Sequence, residues 1–219
     1  MSKNSSKVVI LTVKIKKMIT LMDSQNAINI LLAINLLVSM SANYSGAKKG
    51  LKTSITKVVE RPLSFLQKSP PNVAALVLVL TIVSIFNVGT LTGEYTSKLL
   101  GVRIAGLLMF IVCSWLQVFS YKSLGNSYAQ DVVVMKEHKL ITTGIYKFIR
   151  HPQYLFQLLS DLGAGLALLS YLVVPLVILL EIPLFIMRAV LEDKLLKKHF
   201  ADEYPAYKKR SGFMIPFIG

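Results

Sequence analysis

The sequence predicts an all-α integral membrane protein with about five transmembrane helices, a C-terminal helical hairpin and a polar site at one membrane face. Three observations predict it. Hydrophobic residues make up 53% of the chain against 16% charged, and the mean hydropathy is +0.57, too apolar for a soluble domain. The apolar residues gather in runs close to the roughly 20 residues needed to cross a bilayer. The net charge of +14 is carried by lysines and arginines between those runs. They do not form one stripe interleaved with aromatics, so they read as membrane topology and anionic-lipid contacts, and no nucleic-acid partner is expected.

Residues 1–24 form a basic segment whose apolar stretch, broken by Lys14, Lys16 and Lys17, is too short and too charged to span; it reads as interfacial or disordered. Residues 25–120 are read as three transmembrane helices with a basic loop. The first runs from about Asn26 to Tyr44 and carries Asn29 and Asn35, which need partners inside the bundle. Pro70 and Pro71 open the second, expected over Val73 to Leu91. A polar segment with Glu94, Lys98 and Arg103 precedes the third, Ile104 to Ser120.

Residues 121–219 form the region expected to carry chemistry. The stretch D-V-V-V-M reads as loop or a brief extended piece. Tyr154 to Arg188 is apolar almost throughout, with Ser170-Tyr171 as its natural turn, so it folds as a hairpin. Pro175 and Pro183 bend its second arm locally. A charged amphipathic helix over Glu192 to Phe200 and a polar tail follow. By the positive-inside rule, the loops at 45–72 and 121–152 and the tail share one face, expected to be cytoplasmic and to hold the active site.

Cys113 is the only cysteine, and His138, His151 and His199 show no metal-ligand spacing, so neither a disulfide framework nor a metal site is expected. The dinucleotide-type Gly-rich loop after a strand is absent; Gly163-Ala-Gly165 lies in an apolar run, where glycines allow close helix packing. Asp161 and Glu181 fall at membrane depth on opposite arms of the hairpin, at similar distance from its turn, and could share a proton.

Two polar clusters beside membrane-length runs stand out, H-K-L-I-T-T-G-I-Y-K-F-I-R-H-P-Q-Y from His138 to Tyr154 and a second from Arg188 to Tyr207. Their ordered pattern, L-I-T-x-G-x-Y-x-x-x-R-H-P-x-Y, then R-x-x-x-E-D-x-x-L, then F-x-x-E-Y-x-x-Y, resembles the isoprenylcysteine carboxyl methyltransferase family and its phospholipid methyltransferase relatives. The resemblance covers roughly Lys122 to Gly219. Ala201 stands where that family commonly has glycine, and Asp193 where glutamate is frequent.

The resemblance implies S-adenosylmethionine as cofactor, held between the R-H-P-x-Y loop and the start of the tail helix. It implies backbone contacts from His138, Leu140 and Ile141, close approach at Gly144, pocket walls from Tyr146, His151, Pro152 and Tyr154, and a polar contact from Glu192. Methyl transfer is a direct displacement, so alignment and shielding from water matter more than a nucleophilic side chain. Arg150 and Arg188 are the candidates for gripping the acceptor, with Glu192 as third catalytic residue, since a guanidinium holds carboxylate or phosphate through a planar fork.

The expected function is methyl transfer to a lipid-like acceptor, best the carboxylate of a prenylated cysteine, with membrane lipid as surroundings. Phospholipid amine or small-thiol methylation and a non-catalytic scaffold are the alternatives. Blander roles stand beside each residue: lipid-phosphate anchors for Arg150 and His151, belt residues for Tyr146 and Tyr154, a solvated first helical turn for Glu192 and Asp193.

Overall fold

The computed structural model describes residues 27–44, 58–135 and 139–219. Residues 1–26, most of the first basic loop and His138 lie outside the described residues. Helix α1 covers Ala27–Tyr44. Strand β1 (Val58–Glu60) and a 3₁₀ turn (Phe65–Gln67) precede α2 (Ser69–Ile85), then come α3 (Glu94–Lys98), α4 (Leu100–Leu124), β2 (Val134–Met135), α5 (Pro152–Leu168), α6 (Val173–Leu176), α7 (Ile182–His199) and α8 (Tyr204–Arg210).

Among the described residues four stretches are long and apolar enough to cross a membrane: Ala27–Tyr44, Phe65–Ile85, Leu100–Leu124 and Val173–His199. The chain is an integral membrane protein. Helix α5 is shorter, at 17 residues, and largely buried among the others.

Several boundaries differ from the sequence reading. Helix α2 starts at Ser69 because Pro70 and Pro71 fit a first turn, and it ends at Ile85, where Asn87 and Gly89 turn the backbone at φ 63° and 71°. Arg103, expected in the polar connection, lies inside α4 and is buried; it donates to the Ala167 carbonyl at 2.8 Å and to Asn29 at 3.0 Å. Asn29 also donates to the Ile85 carbonyl, and Asn35 to Ser114, so both asparagines find the partners they need.

The second hairpin arm and the tail helix are one rod, because α7 runs unbroken from Ile182 to His199. Pro183 has no N–H to donate. The preceding turn, Val177–Glu181, widens to a π-helix whose Ile182 N–H reaches the Val177 carbonyl five residues back.

Gly106 on α4 and Gly163 on α5 let two backbones meet. A Cβ at Gly106 would lie 2.5 Å from the Ala167 nitrogen, and one at Gly163 would lie 2.7 Å from the Phe110 nitrogen. Leu107 and Phe110 of α4 pack there against Ala164, Ala167 and Leu168 of α5 and Ile28 and Leu32 of α1. At the far end the hairpin turn is pinned: Leu91 donates to the Leu169 carbonyl, Tyr171 to the Gly89 carbonyl, and Ser84 meets Ser170 at 2.9 Å.

At the near end β1 pairs antiparallel with β2, Val58 opposite Met135 and Glu60 opposite Val134. Arg61 pairs with Asp131 at 3.1 Å and Lys198 with Glu60 at 2.7 Å. The described part of the first basic loop, the loop before α5 and the end of α7 therefore lie together on one face.

Asp161 and Glu181 face one another across the hairpin. Gln157 donates to Asp161, while the fully buried Glu181 oxygens accept no hydrogen bond from a described residue. An amide pair can replace these contacts, so Asp161→Asn with Glu181→Gln is expected to keep cofactor affinity within threefold while moving the thermal midpoint by several degrees, about 1–2 kcal/mol. Loss of turnover with intact cofactor binding would place the pair in acceptor recognition.

Candidate functional site

The site lies where the start of α5, the second half of α7 and the tail converge. Its core is His151, which caps α5 from a buried position, 3% exposed. Its Nε2 meets Asp193 at 2.7 Å and its Nδ1 lies 3.6 Å from Glu192. Its ring stacks parallel on Tyr154, 5.7 Å between centroids, and meets Phe213 edge-on. Burial opposes a charge on this imidazole, but its hydrogen bonds to the Asp193 and Glu192 carboxylates and their negative charge outweigh it and raise the His151 pKa to about 9.

Because α7 is one helix, Arg188 and Glu192 stand one turn apart on the same face. Tyr154 bridges them, donating to Glu192 at 2.8 Å and accepting from Arg188 Nε at 3.1 Å. Arg188 is itself buried and donates to the carbonyls of Leu66 at 2.7 Å, Gln67 at 3.1 Å and Gln130 at 2.5 Å. Among the described residues its hydrogen-bond partners are neutral, and Glu192 stands beyond the phenol.

Arg150 lines the small cleft and makes its hydrogen bonds to the tail. Its guanidinium is buried and spent on the tail, donating to the carbonyls of Ser211, of Lys208 at 3.2 Å and of Gly219 at 3.0 Å, with Asp193 at 3.4 Å. The backbone follows the same course: Arg150 donates to the Gly212 carbonyl and His151 to that of Phe213. Arg150 clamps the tail and also lines the small cleft, while Arg188 lines the larger cavity. The helix-start reading of Glu192 and Asp193 also falls, since both sit mid-helix in α7 with mostly covered side chains.

Two cavities meet here. A small polar cleft of about 60 Å³ is lined by Leu140, Ile141, Tyr146, His151, Glu192 and Asp193, among others. A larger cavity of about 500 Å³ runs between α1, α2, α4, α5 and α7, with Tyr154, Phe185 and Arg188 at one end and Gln117, Gln157 and Asp161 in its wall. Gln153 and Ala129 line both.

Tyr146 and Tyr154 are buried, at 5% and 8% exposure, and so are not belt residues. Pro152 fills the first turn of α5. Gly144 adopts φ +61° with no protein atom within 4 Å of a notional Cβ, so its backbone angle is what demands glycine.

Two tyrosines of the F-x-x-E-Y-x-x-Y motif pack the tail against the site. Tyr204 donates to Asp193, and Tyr207 donates to the Tyr146 carbonyl at 2.8 Å. Burial holds both phenols above their ordinary range, so they donate hydrogen bonds and do not act as bases. The E-Y-x-x-Y spacing, which puts both rings on one side of α8, was the available signal. Gln153 sits at the variable position of R-H-P-x-Y, and only its place between the cavities marks it.

The phospholipid methyltransferase family matches residues 102–203. The protein-S-isoprenylcysteine O-methyltransferase of Saccharomyces cerevisiae is 33% identical over 117 residues, covering 52% of this chain and 49% of that one. The Tribolium castaneum protein of the same name is 29% identical over 115 residues, covering 52% and 41%. This chain thus spans about half the length of the curated relatives it matches. The solved structure of the eukaryotic intramembrane Ras methyltransferase, isoprenylcysteine carboxyl methyltransferase, superposes with a TM-score of 0.53 at 24% identity, covering 69% of this chain and 54% of that one, a likeness of fold. In sequence the chain is similar to protein-S-isoprenylcysteine O-methyltransferases over about half its length, and in fold to the intramembrane isoprenylcysteine carboxyl methyltransferase.

Proposed function

We propose that this chain is a membrane-embedded S-adenosylmethionine-dependent methyltransferase whose acceptor is lipid-like, with the carboxylate of a prenylated cysteine as the best candidate. The observation that carries the reading is the meeting of a small cleft that holds carboxylates with a larger, mostly apolar cavity at Gln153 and Ala129.

The donor set of the cleft fits the cofactor: carboxylates for its cationic groups, aromatic walls, and backbone at Leu140 and Ile141. The cleft's volume is well below the ~300–1,000 Å³ usual for small-molecule sites, so its walls must part on binding. His151, Glu192 and Tyr146 would hold the cofactor there. Bound there, S-adenosylmethionine would supply a methyl group on a cationic sulfur for transfer to a carboxylate oxygen, with the bonding pair returning to sulfur. No proton moves, which suits a site whose titratable groups already pair with one another.

Arg188 lines the larger cavity and gives an anionic acceptor its counter-charge, while the apolar wall receives the tail. Gln157 and Asp161 in the same wall are what a headgroup amine would use, which keeps phospholipid amine methylation as the second reading.

The purified protein with labelled cofactor is expected to convert a prenylated cysteine analogue to a base-labile methyl ester, at least tenfold faster than it methylates phosphatidylethanolamine. Base-stable product on the ethanolamine headgroup alone would reverse the choice of acceptor.

A further inference from the structure

Gln153 follows Pro152 in the first turn of α5 and is 8% exposed, yet the residue lines both cavities. Its Oε1 is buried and has no hydrogen-bond partner among the described residues. An unmet buried acceptor costs roughly 1–3 kcal/mol, so a glutamine serving packing alone would be poorer here than an apolar side chain of the same length. The neighbouring polar groups are committed elsewhere: His151 to Asp193, and Tyr154 to Glu192 and Arg188. Gln153 is thus a neutral polar side chain with an unused oxygen at the junction of the polar cleft and the acceptor cavity.

We propose that Gln153 is a positioning residue for methyl transfer, its Oε1 facing the cationic sulfonium end of the methyl donor so that the charged donor is held more tightly than its neutral demethylated product. The inference rests on the cofactor reading above. The physical reason is electrostatic. An amide oxygen carries a partial negative charge that attracts a sulfonium and the polarised hydrogens of its methyl group, and the attraction vanishes once the methyl has left and the sulfur is neutral. A carboxylate would do this more strongly, but at the junction it would repel an anionic acceptor. Glutamine leaves the acceptor's charge to Arg188.

The test compares Gln153→Met, which keeps length without a polar head, with Gln153→Glu, which keeps shape and adds charge. Affinities for S-adenosylmethionine and S-adenosylhomocysteine are measured by calorimetry together with thermal unfolding of the free protein. Gln153→Met is expected to weaken S-adenosylmethionine five- to tenfold, to leave S-adenosylhomocysteine within twofold, and to hold or raise the unfolding temperature. Gln153→Glu is expected to increase the ratio of S-adenosylmethionine to S-adenosylhomocysteine affinity and to raise KM for the carboxylate acceptor. Equal weakening of both ligands by Gln153→Met, or a lowered unfolding temperature with unchanged selectivity, would reduce Gln153 to a structural residue and overturn the proposal while the cofactor reading stands. Failure of the wild-type protein to bind either ligand would overturn both.

Discussion

Replacing His151 with alanine is expected to cost the protein both its cofactor affinity, by at least a hundredfold, and several degrees of thermal stability. The imidazole is the one cation in direct contact with both Glu192 and Asp193, and removing one partner of a buried ionic cluster typically costs about 3–5 kcal/mol because the remaining charges are left unmet. The ring also joins Tyr154 to Phe213, so its loss loosens the tail against α5. The same contacts set a pH dependence. His151 has a folded-state pKa raised from 6.5 to about 9. Its contribution is therefore fully present below about pH 6.5 and is lost as pH rises through 9, on the order of 3 kcal/mol in total. Unfolding temperatures measured from pH 6 to pH 10 should fall across that window in the wild type and stay flatter in His151→Gln, which can fold with one donor retained. A wild-type profile as flat as the variant's would show that the imidazole is neutral and that the ionic cluster is not what holds the site.

Arg188→Lys is expected to lower turnover at least a hundredfold and to raise KM for an anionic acceptor, while affinity for the cofactor changes by no more than threefold. The guanidinium reaches three carbonyls from two different loops and the Tyr154 oxygen at once; an ammonium on a single stem cannot cover that spread. Carbonyls left without a donor cost roughly 1–3 kcal/mol each when they cannot reach water, enough for a hundredfold effect at 1.4 kcal/mol per factor of ten. Steady-state kinetics and separate cofactor titrations on the same preparation distinguish the outcomes. A variant that loses cofactor affinity and turnover in equal measure would move Arg188 from the acceptor side to the cofactor side.

Much of this arrangement was legible in the residues, for reasons that differ from place to place. The hairpin turn at Ser170-Tyr171, the pairing of Asp161 with Glu181 and the packing role of Gly163 and Gly165 follow from apolar run length and from the high cost of isolated polar groups in a bilayer. The nearness of His151 to Glu192 was carried by the resemblance and not by spacing, since the two are separated by a whole hairpin. The tail contacts of Arg150 were hidden because a guanidinium beside a membrane surface looks the same in sequence whether or not it also holds a row of tail carbonyls. The continuity of α7 was hidden by the change from apolar to charged composition after Arg188, which reads as a boundary, while the bend expected at Pro183 is met by one widened turn before it. Gln153 was invisible, because an unpaired oxygen is a property of three-dimensional surroundings and leaves no periodicity.

The backbone contact between Gly106 and Gly163 divides the molecule mechanically. Two helices touching at main-chain distance cannot slide or roll without collision, so α4 and α5 act as a stationary post to which His151 and Gln153 are fixed. The opposite wall of the cleft is built differently. The tail is fastened through hydrogen bonds from the buried Arg150 and Tyr207 to carbonyl oxygens. Polar contacts of this kind form one side of the cleft, whereas the larger cavity is bounded by packed helices. The two cavities therefore have walls of different make, one side held by directional hydrogen bonds and the other by close packing, so a change in the tail would alter the cleft before it altered the helical cavity.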